Sequence, residues 1–359
     1  MKEGYFTQNI GKIYHNWGQN KERGDAPSWS VPAVMHYASH YHDTVRVAGQ
    51  KPGKISKNPK WFREDVPDEA YFDGRVANLA IKALRERKEA ARPFFLAVGF
   101  WKPHAPFNAP SKYWDLYNRS KLSRPANPEW PRGAPRIAWH NSREILGRGE
   151  QRKLSEKDVM EMRHGYLAAI TYFDAQLGKV LDELDRLGLR ENTVVVFWSD
   201  HGFHLGEHSL WAKTSNFELD ARVPMIISAP GMKKPGVKTD ALAELGDLYP
   251  TLVELCGLPK AEGLDGKSLG PVLDDPAARV KKGACTQHPR PAYFSGSPEV
   301  MGRSVRTARY RYTEWRDFKT GKLVATELYD HDTAPLATVN IAGVPSSEPV
   351  LVACRKIHL

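Results

Sequence analysis

The chain has 359 residues, a length that favours one large α/β domain with a smaller appendage. Its 41% hydrophobic content excludes a disordered polymer, no apolar run approaches the roughly 18 residues that span a bilayer, and the first residues show no signal peptide. Lys and Arg outnumber Asp and Glu by 52 to 42 without a block of five like charges, so we expect no nucleic-acid partner. The excess is compatible with an anionic substrate or with a surface balanced for solubility. Three widely spaced cysteines exclude a disulfide scaffold and a Cys-rich zinc site.

The N-terminal part of the chain predicts two strands and one helix. Residues 5–13 are compatible with a short strand. The spacing of apolar residues predicts a helix over Asp73–Glu89, with one apolar and one basic face. A second, buried strand is expected over Pro93–Phe100. Residues 107–153 show no clear period and many Pro, Arg and Trp, which indicates an irregular insertion.

The centre of the chain predicts a long helix followed by a buried strand. Apolar residues recur every three to four positions after Ser155, which is a suitable N-cap, and Gly188 ends the pattern. The next run, Val194–Trp198, holds five apolar or aromatic residues, three of them β-branched. Such a run is typical of a strand that is buried on both faces of a parallel sheet. The chain therefore forms an α-to-β unit here.

The C-terminal part first continues the alternation of strands and helices and then changes character. A strand over residues 223–231 and a helix over Asp247–Cys256 favour a doubly wound, mostly parallel sheet. Short alternating segments follow at Arg303–Trp315 and Lys322–Tyr329 and predict an antiparallel hairpin. The last twenty residues show no convincing element. We expect an α/β domain over residues 1–278 and a small antiparallel subdomain over 279–359.

Three strand ends carry cationic or metal-binding side chains. The residues concerned are Lys12 and His15, Lys102 and His104, and Asp200 and His201 with Lys213. In open α/β sheets, ligands bind beyond the carboxyl ends of the strands. The combination predicts a pocket in which Lys and His surround a tetrahedral anion and a metal ion.

The metal is expected at Asp200 and His201, because an adjacent carboxylate and imidazole suit a divalent cation. The alternative is structural: Asp200 caps a turn and His201 is hydrogen-bonded in the wall.

The central motifs resemble those of the sulfatase family. Ser199-Asp200-His201-Gly202, followed by Leu205-Gly206-Glu207-His208 and Trp211-Ala212-Lys213, is most similar to the iduronate-2-sulfatase branch. Further segments of the chain match that branch in the same order: Gly4–His15, Phe94–Phe107, Gln287–Arg290 and Leu328–Asp330. The resemblance implies an alkaline-phosphatase-like α/β fold with a C-terminal antiparallel subdomain.

The resemblance also implies a chemistry, the hydrolysis of sulfate esters on a sulfated sugar or glycosaminoglycan-like substrate with Ca²⁺. Asp200 and His201 would bind part of the calcium shell. Lys12 and Lys213 would neutralise sulfate oxygens, His104 would donate the proton to the leaving alcohol, and His15 would orient or deprotonate the nucleophile. Lys102 is a weaker candidate for substrate binding, and a surface or structural role is an equal alternative.

The sequence departs from the family at its nucleophile. Sulfatases carry a Cys or Ser followed by x-Pro-x-Arg, whose first residue becomes formylglycine, and the 359 residues hold no such motif. The resemblance also implies further Asp ligands for calcium that have no counterpart here. We therefore expect the chain alone to be inactive, with a missing N-terminal segment encoded upstream.

Two further functions are compatible with the sequence. The first is a non-catalytic binder of sulfated polysaccharide, and the second is a metal-dependent phosphoesterase of the same superfold. Sulfatases are often exported, but the sequence assigns no compartment.

Overall fold

A computed structural model of the chain describes residues 3–14, 25–35, 44–45, 53–54, 61–140, 143–146 and 154–358. The chain divides into two compact units. Unit 1 comprises Met1–Arg124 and Leu154–Glu191, and unit 2 comprises Pro125–Lys153 and Asn192–Leu359. Among the described residues, no helix combines the length and the apolar character needed to cross a membrane.

Strands and helices are interspersed along the chain. In chain order they are β1 (Phe6–Gly11), β2 (Thr44–Val45), β3 (Gly53–Lys54), β4 (Trp61–Glu64), α1 (Phe72–Ala90), β5 (Phe94–Gly99), β6 (Phe107–Pro110), α2 (Ser111–Trp114), α3 (Arg143–Leu146), α4 (Glu156–Arg186), β7 (Val195–Trp198), β8 (His204–Leu205), β9 (Trp211–Ala212), α5 (Glu218–Ala221), β10 (Met225–Ser228), α6 (Leu248–Leu255), α7 (Gly270–Asp274), β11 (Ala284–Arg290), β12 (Val300–Arg306), β13 (Tyr310–Asp317), β14 (Leu323–Asp330) and α8 (Glu348–His358). The mixed α/β class expected from the sequence is confirmed.

Unit 1 is built on parallel strand pairs and two long helices. β1 pairs in parallel with β5, and β4 pairs in parallel with β6. The apolar face of α1 covers the first pair, where Val76 packs against Ile10 and Trp101. The predicted N-cap of α4 is confirmed, because the Ser155 side chain accepts a hydrogen bond from the backbone N–H of Asp158.

A buried carboxylate ties α4 to the rest of unit 1. Asp68 is 6% exposed and lies within 2.8 Å of the Lys112 ammonium and 2.6 Å of the Lys179 ammonium. Its carboxylate also accepts hydrogen bonds from the Tyr113 hydroxyl and the Gln176 amide. Burial alone would raise the pKa of Asp68, but these partners outweigh it and lower the pKa to about 2. The ionised carboxylate therefore stabilises the folded unit at neutral pH.

The central strand differs from its prediction in two ways. β7 pairs antiparallel with β10, and in the described part of the chain it hydrogen-bonds to no other strand. A parallel neighbour needs a crossover, usually a helix, whereas the link between the two strands holds only short elements. The expected burial on both faces is wrong, since Trp198 is 47% exposed and Ile226 of β10 is 60% exposed. The same holds for β5, where Phe95 is 47% exposed. A two-stranded sheet covers less of each strand than the continuous sheet that the apolar runs suggested.

The C-terminal part of unit 2 is an antiparallel sheet in the order β11-β12-β13-β14. The predicted hairpin is confirmed as β13 and β14, and Arg303–Trp315 proves to be parts of two strands. The expectation of no element in the last twenty residues is wrong, because α8 occupies Glu348–His358. Leu351 and Cys354 of this helix pack against Tyr312 and its neighbours in the sheet. A proline at its second position and its short length obscured the helical period.

Candidate functional site

Lys12 lies at the carboxyl end of β1, directly beside the end of β5. Gly11 and Gly99 are partners in the register, and the backbone N–H of Lys12 donates a 2.8 Å hydrogen bond to the carbonyl oxygen of Gly99. A Cβ atom on Gly99 would lie 2.0 Å from the carbonyl oxygen of Lys12, well inside van der Waals contact. The approach therefore requires glycine at position 99. It brings the loop that begins at Trp101 next to Lys12.

The loop that carries His104 is fixed at both ends. The Asp73 carboxylate in the first turn of α1 accepts hydrogen bonds from the backbone N–H groups of Trp101 (2.8 Å) and Lys102 (2.9 Å). The N–H of His104 donates to the carbonyl oxygen of Trp101, and the two rings meet edge to face at 5.7 Å. The Nδ1 atom of His104 lies 2.7 Å from the carbonyl oxygen of Ala105. A carbonyl can only accept, so Nδ1 carries the proton and Nε2 is the atom that can exchange one.

Lys102 extends along the same loop rather than away from it. Its ammonium group donates to the carbonyl oxygens of His104 (3.2 Å) and Pro106 (2.8 Å) and to the side-chain oxygen of Asn108 (2.5 Å). Asn108 is fully buried.

Asp200 and His201 follow β7, as predicted, and face solvent. Their side chains are 59% and 35% exposed, and Nε2 of His201 lies 3.7 Å from the Asp200 carboxylate. Nδ1 of His201 lies 2.8 Å from the carbonyl oxygen of Gly202, which leaves Nε2 for another partner. Gly202 and Phe203 donate backbone hydrogen bonds to residues of α5. A Cβ atom on Gly202 would lie 1.9 Å from the carbonyl oxygen of Leu219, so this anchoring also depends on glycine.

Lys213 follows the short β9 and forms an ion pair. Its ammonium lies 2.6 Å from the carboxylate of Glu144 on α3, and both side chains are largely buried. Ala212 and Thr214 on either side have φ of 71° and 85°, which is unusual for residues with a Cβ and strained for a β-branched one. The buried guanidinium of Arg290 donates to the carbonyl oxygen of Thr214 and so holds this backbone. The Lys213 side chain is thus tightly positioned.

A group of buried imidazoles surrounds Asp220 in unit 2, and sequence reasoning assigned it no role in the site. The Asp220 carboxylate lies 2.7 Å from Nδ1 of His204 and accepts two hydrogen bonds from Ser215. His140 is 4% exposed, and neither of its ring nitrogens has a hydrogen-bond partner among the residues that the structure describes. Burial lowers the pKa of His140 to about 3 and those of His208 and His288 to about 4. All three are therefore neutral at pH 7.

The residues that sequence reasoning missed are Asp73, Glu144, Asp220 and Arg290. They act by long-range contacts, which sequence spacing does not reveal. Arg290 alone carried a signal, since it ends the Gln287–Arg290 segment that resembles the family.

The ligand requirements of Ca²⁺ can be compared with what Asp200 and His201 offer. Ca²⁺ takes six to eight oxygen ligands, whereas Asp200 and His201 offer one carboxylate and one imidazole. Within the described residues, no group of three or more His, Cys, Asp or Glu side chains is arranged to hold a metal ion. The pair fits part of a calcium shell and is not a complete site.

The predicted site residues fall into two sets. Lys12, Lys102 and His104 lie at neighbouring strand ends in unit 1. Asp200, His201 and Lys213 belong to unit 2. His15 lies outside the described residues. The convergence of the two sets on one pocket stays a prediction, as do the assigned roles.

Comparison with known proteins shows the family. A model described as "Sulfatase" matches residues 1–258, and one described as "N-sulphoglucosamine sulphohydrolase, C-terminal" matches residues 206–357. Iduronate 2-sulfatase of Mus musculus is 32% identical over 412 aligned residues, which cover 95% of this chain and 74% of the relative.

Two solved structures share the fold. BT4656, in complex with its substrate D-glucosamine-2-N,6-O-disulfate, superimposes with a TM-score of 0.71 and 20% identity, covering 99% of this chain and 78% of its own. The phosphonate monoester hydrolase of Agrobacterium radiobacter gives 0.74 and 20%, covering 98% and 76%. The alkaline-phosphatase-like architecture expected from the sequence is thus confirmed. Because the "Sulfatase" model spans well over half of the sequence, the chain belongs to the sulfatase family of sulfuric ester hydrolases.

Proposed function

We propose that this chain forms the substrate-binding part of a sulfatase that removes sulfate from a sulfated sugar or glycosaminoglycan-like polysaccharide. The observation that carries the proposal is the parallel pairing of β1 and β5. Parallel strands end at the same edge of a sheet, so Lys12 and the loop that carries His104 follow their strands side by side. A cation beside an imidazole is suited to bind an anionic ester and to protonate its leaving group.

In the proposed reaction, Lys12 and Lys213 bind the sulfate oxygens and offset the charge that develops on them in the transition state. As the bond between sulfur and the sugar oxygen breaks, Nε2 of protonated His104 transfers its proton to that oxygen, and the sugar leaves as an alcohol. The hydrogen bond from Nδ1 to the carbonyl of Ala105 keeps the ring oriented during this transfer. Glu144 holds Lys213 against competing orientations.

The nucleophile and the metal complete the proposal. A formylglycine side chain would supply the attacking oxygen, and the chain carries no Cys/Ser-x-Pro-x-Arg motif from which it could be made. We propose that the chain is inactive alone and that a further polypeptide segment supplies this motif, with His15 beside it. Asp200 and His201 would bind calcium together with ligands from that segment, since calcium needs more oxygen atoms than the pair offers.

The substrate class rests on the relatives and is the more specific part of the proposal. Iduronate 2-sulfatase and the disulfated glucosamine complex of BT4656 both concern sulfated sugars. The phosphonate monoester hydrolase has the same fold, so the fold alone does not distinguish sulfur esters from phosphorus esters. The sulfatase match supports sulfate.

Titration of the full chain with a sulfated heparin disaccharide and with its desulfated form, in the presence of calcium, tests the proposal. We expect binding of the sulfated form, with about a tenfold loss, or ~1.4 kcal/mol, in Lys12→Ala and in Lys213→Ala. Lys82→Ala is the matched control, because Lys82 is 74% exposed and lies on α1. Equal binding of both disaccharides, or no effect of either substitution, would refute the assignment.

Turnover separates a sulfatase fragment from a complete enzyme. The purified chain with calcium should not hydrolyse p-nitrocatechol sulfate. Calcium-dependent turnover by this chain would disprove the proposed need for a further segment. Binding of heparin that survives both lysine substitutions would point instead to a polysaccharide-binding surface elsewhere.

A further inference from the structure

The ammonium group of Lys102 is enclosed by oxygen atoms of its own loop. Among the described residues, three acceptors lie at 2.5 to 3.2 Å: the carbonyl oxygens of His104 and Pro106 and the side-chain oxygen of Asn108. An ammonium group has three N–H donors, and these contacts use all three.

The contacts of the Lys102 ammonium hold together the loop that carries His104. Lys102 links residues 104, 106 and 108 from one side, while the Asp73 carboxylate holds the backbone N–H groups of Trp101 and Lys102 from the other. His104 is thereby held through its carbonyl oxygen by Lys102 and through its Nδ1 by the carbonyl of Ala105. The first contact fixes the backbone of residue 104, and the second orients the imidazole on that backbone with Nε2 as its exchanging nitrogen.

Redirecting Lys102 toward a substrate would break this arrangement. Asn108 is fully buried, so its side-chain oxygen would lose its hydrogen-bond donor at a place where water cannot replace that donor. Two backbone carbonyl oxygens of the loop would lose the same donor. A sulfate ion would have to compensate for the loss of all three contacts.

We infer that Lys102 is a positioning residue, which fixes the His104 imidazole, and that it is not a ligand of the sulfate group. The inference rests on the proposed sulfatase function, because the orientation of Nε2 matters only if His104 serves the leaving group. Of the two roles that the sequence left open for this lysine, substrate binding and a structural role, the inference selects the structural one.

NMR of the lysine ammonium groups in the wild-type full chain tests the inference, and a variant is needed only to assign the signal. The ¹⁵N signal of Lys102, assigned with Lys102→Arg, should show slow hydrogen exchange and should not move when inorganic sulfate replaces chloride at constant ionic strength. The Lys12 signal should move. A Lys102 signal that exchanges rapidly and shifts with sulfate would overturn the inference.

Lys102→Met gives a second, independent readout. It keeps the length of the side chain and removes the three donors. We expect the ring ¹⁵N signals of His104 to lose the single Nδ1–H tautomer, while the dissociation constant for sulfate stays within about twofold of wild type. Lys82→Met, with the same loss of charge, should change neither. Unchanged His104 signals with about tenfold weaker sulfate binding would make Lys102 a ligand and refute its positioning role.

If the proposed sulfatase function is wrong, the NMR experiments give a result that differs from a failure of the inference about Lys102. If sulfate shifts neither the Lys12 nor the Lys213 ammonium signal of the wild-type chain, the proposed assignment of these lysines to the sulfate site is refuted. The tautomer of His104 in sulfate-free Lys102→Met still reports whether Lys102 positions the ring.

Discussion

Gly99→Ala tests the contact that brings Lys12 beside the His104 loop. The new Cβ would lie 2.0 Å from the carbonyl oxygen of Lys12, and ordinary contact begins near 3.4 Å, so the strand ends must separate by at least 3.4 − 2.0 = 1.4 Å. The obstructing atoms are backbone, which cannot rotate away. The separation breaks the 2.8 Å hydrogen bond from Lys12 to Gly99.

The expected cost follows from these two effects. Overpacking against a fixed neighbour costs about 1–3 kcal/mol, and the lost backbone hydrogen bond adds about 1 kcal/mol. We therefore expect Gly99→Ala to lower the free energy of unfolding of unit 1 by roughly 2–4 kcal/mol and to weaken sulfate binding.

Urea denaturation, with hydrogen exchange of the Lys12 amide as the local probe, measures both consequences. Gly178→Ala is the matched control, because Gly178 lies within α4 with no atom near its would-be Cβ. It should be neutral or stabilising by up to about 1 kcal/mol. If Gly99→Ala behaves like Gly178→Ala and keeps the Lys12 amide protected, the close approach of the two strand ends is refuted.

Two further predictions concern stability. Asp68→Asn should destabilise unit 1 by roughly 2 kcal/mol at pH 7, because the pKa of Asp68 is lowered from 3.8 to about 2. This contribution is present above about pH 4 and is lost as the pH falls toward about 2, so the variant and wild type should converge there; Asp115→Asn, at an exposed ion pair, should cost less than about 1 kcal/mol. The imidazoles of His140, His208 and His288 in unit 2 affect the free energy of unfolding at higher pH than Asp68 does. Because their pKa values are lowered, the unfolded chain binds more protons below about pH 6.5, and stability falls as the pH drops toward 4. His140→Leu should reduce that slope by about 1.4 kcal/mol per pH unit in urea denaturation, and an unchanged slope would show that His140 is protonated in the folded state.

Local sequence patterns predicted the helices and strands whose formation depends on neighbouring residues in the sequence. The apolar period and the N-cap of Ser155 located α4, and β1 and β5 were expected where they occur. The positions of Lys12, His104 and Asp200 at strand ends followed from these elements. The apolar patterns, together with the residue types at strand ends and the family motifs, therefore outlined both sets of predicted site residues.

Long-range contacts were beyond such reasoning. Nothing in the spacing of Lys213 and Glu144 indicates that they form an ion pair, because the chain between them must fold first. The enclosure of Lys102 likewise depends on the turn that follows it. The exposure of Trp198 was mispredicted because an apolar run reports the preference of a strand and not the number of its neighbours.

A crystal structure of the full chain grown with inorganic sulfate and calcium tests the central claim most directly. The claim is that Lys12 and His104, at the paired ends of β1 and β5, bind one anion. We predict a sulfate ion in contact with both Lys12 and His104. A structure in which no sulfate ion contacts both Lys12 and His104 would contradict it.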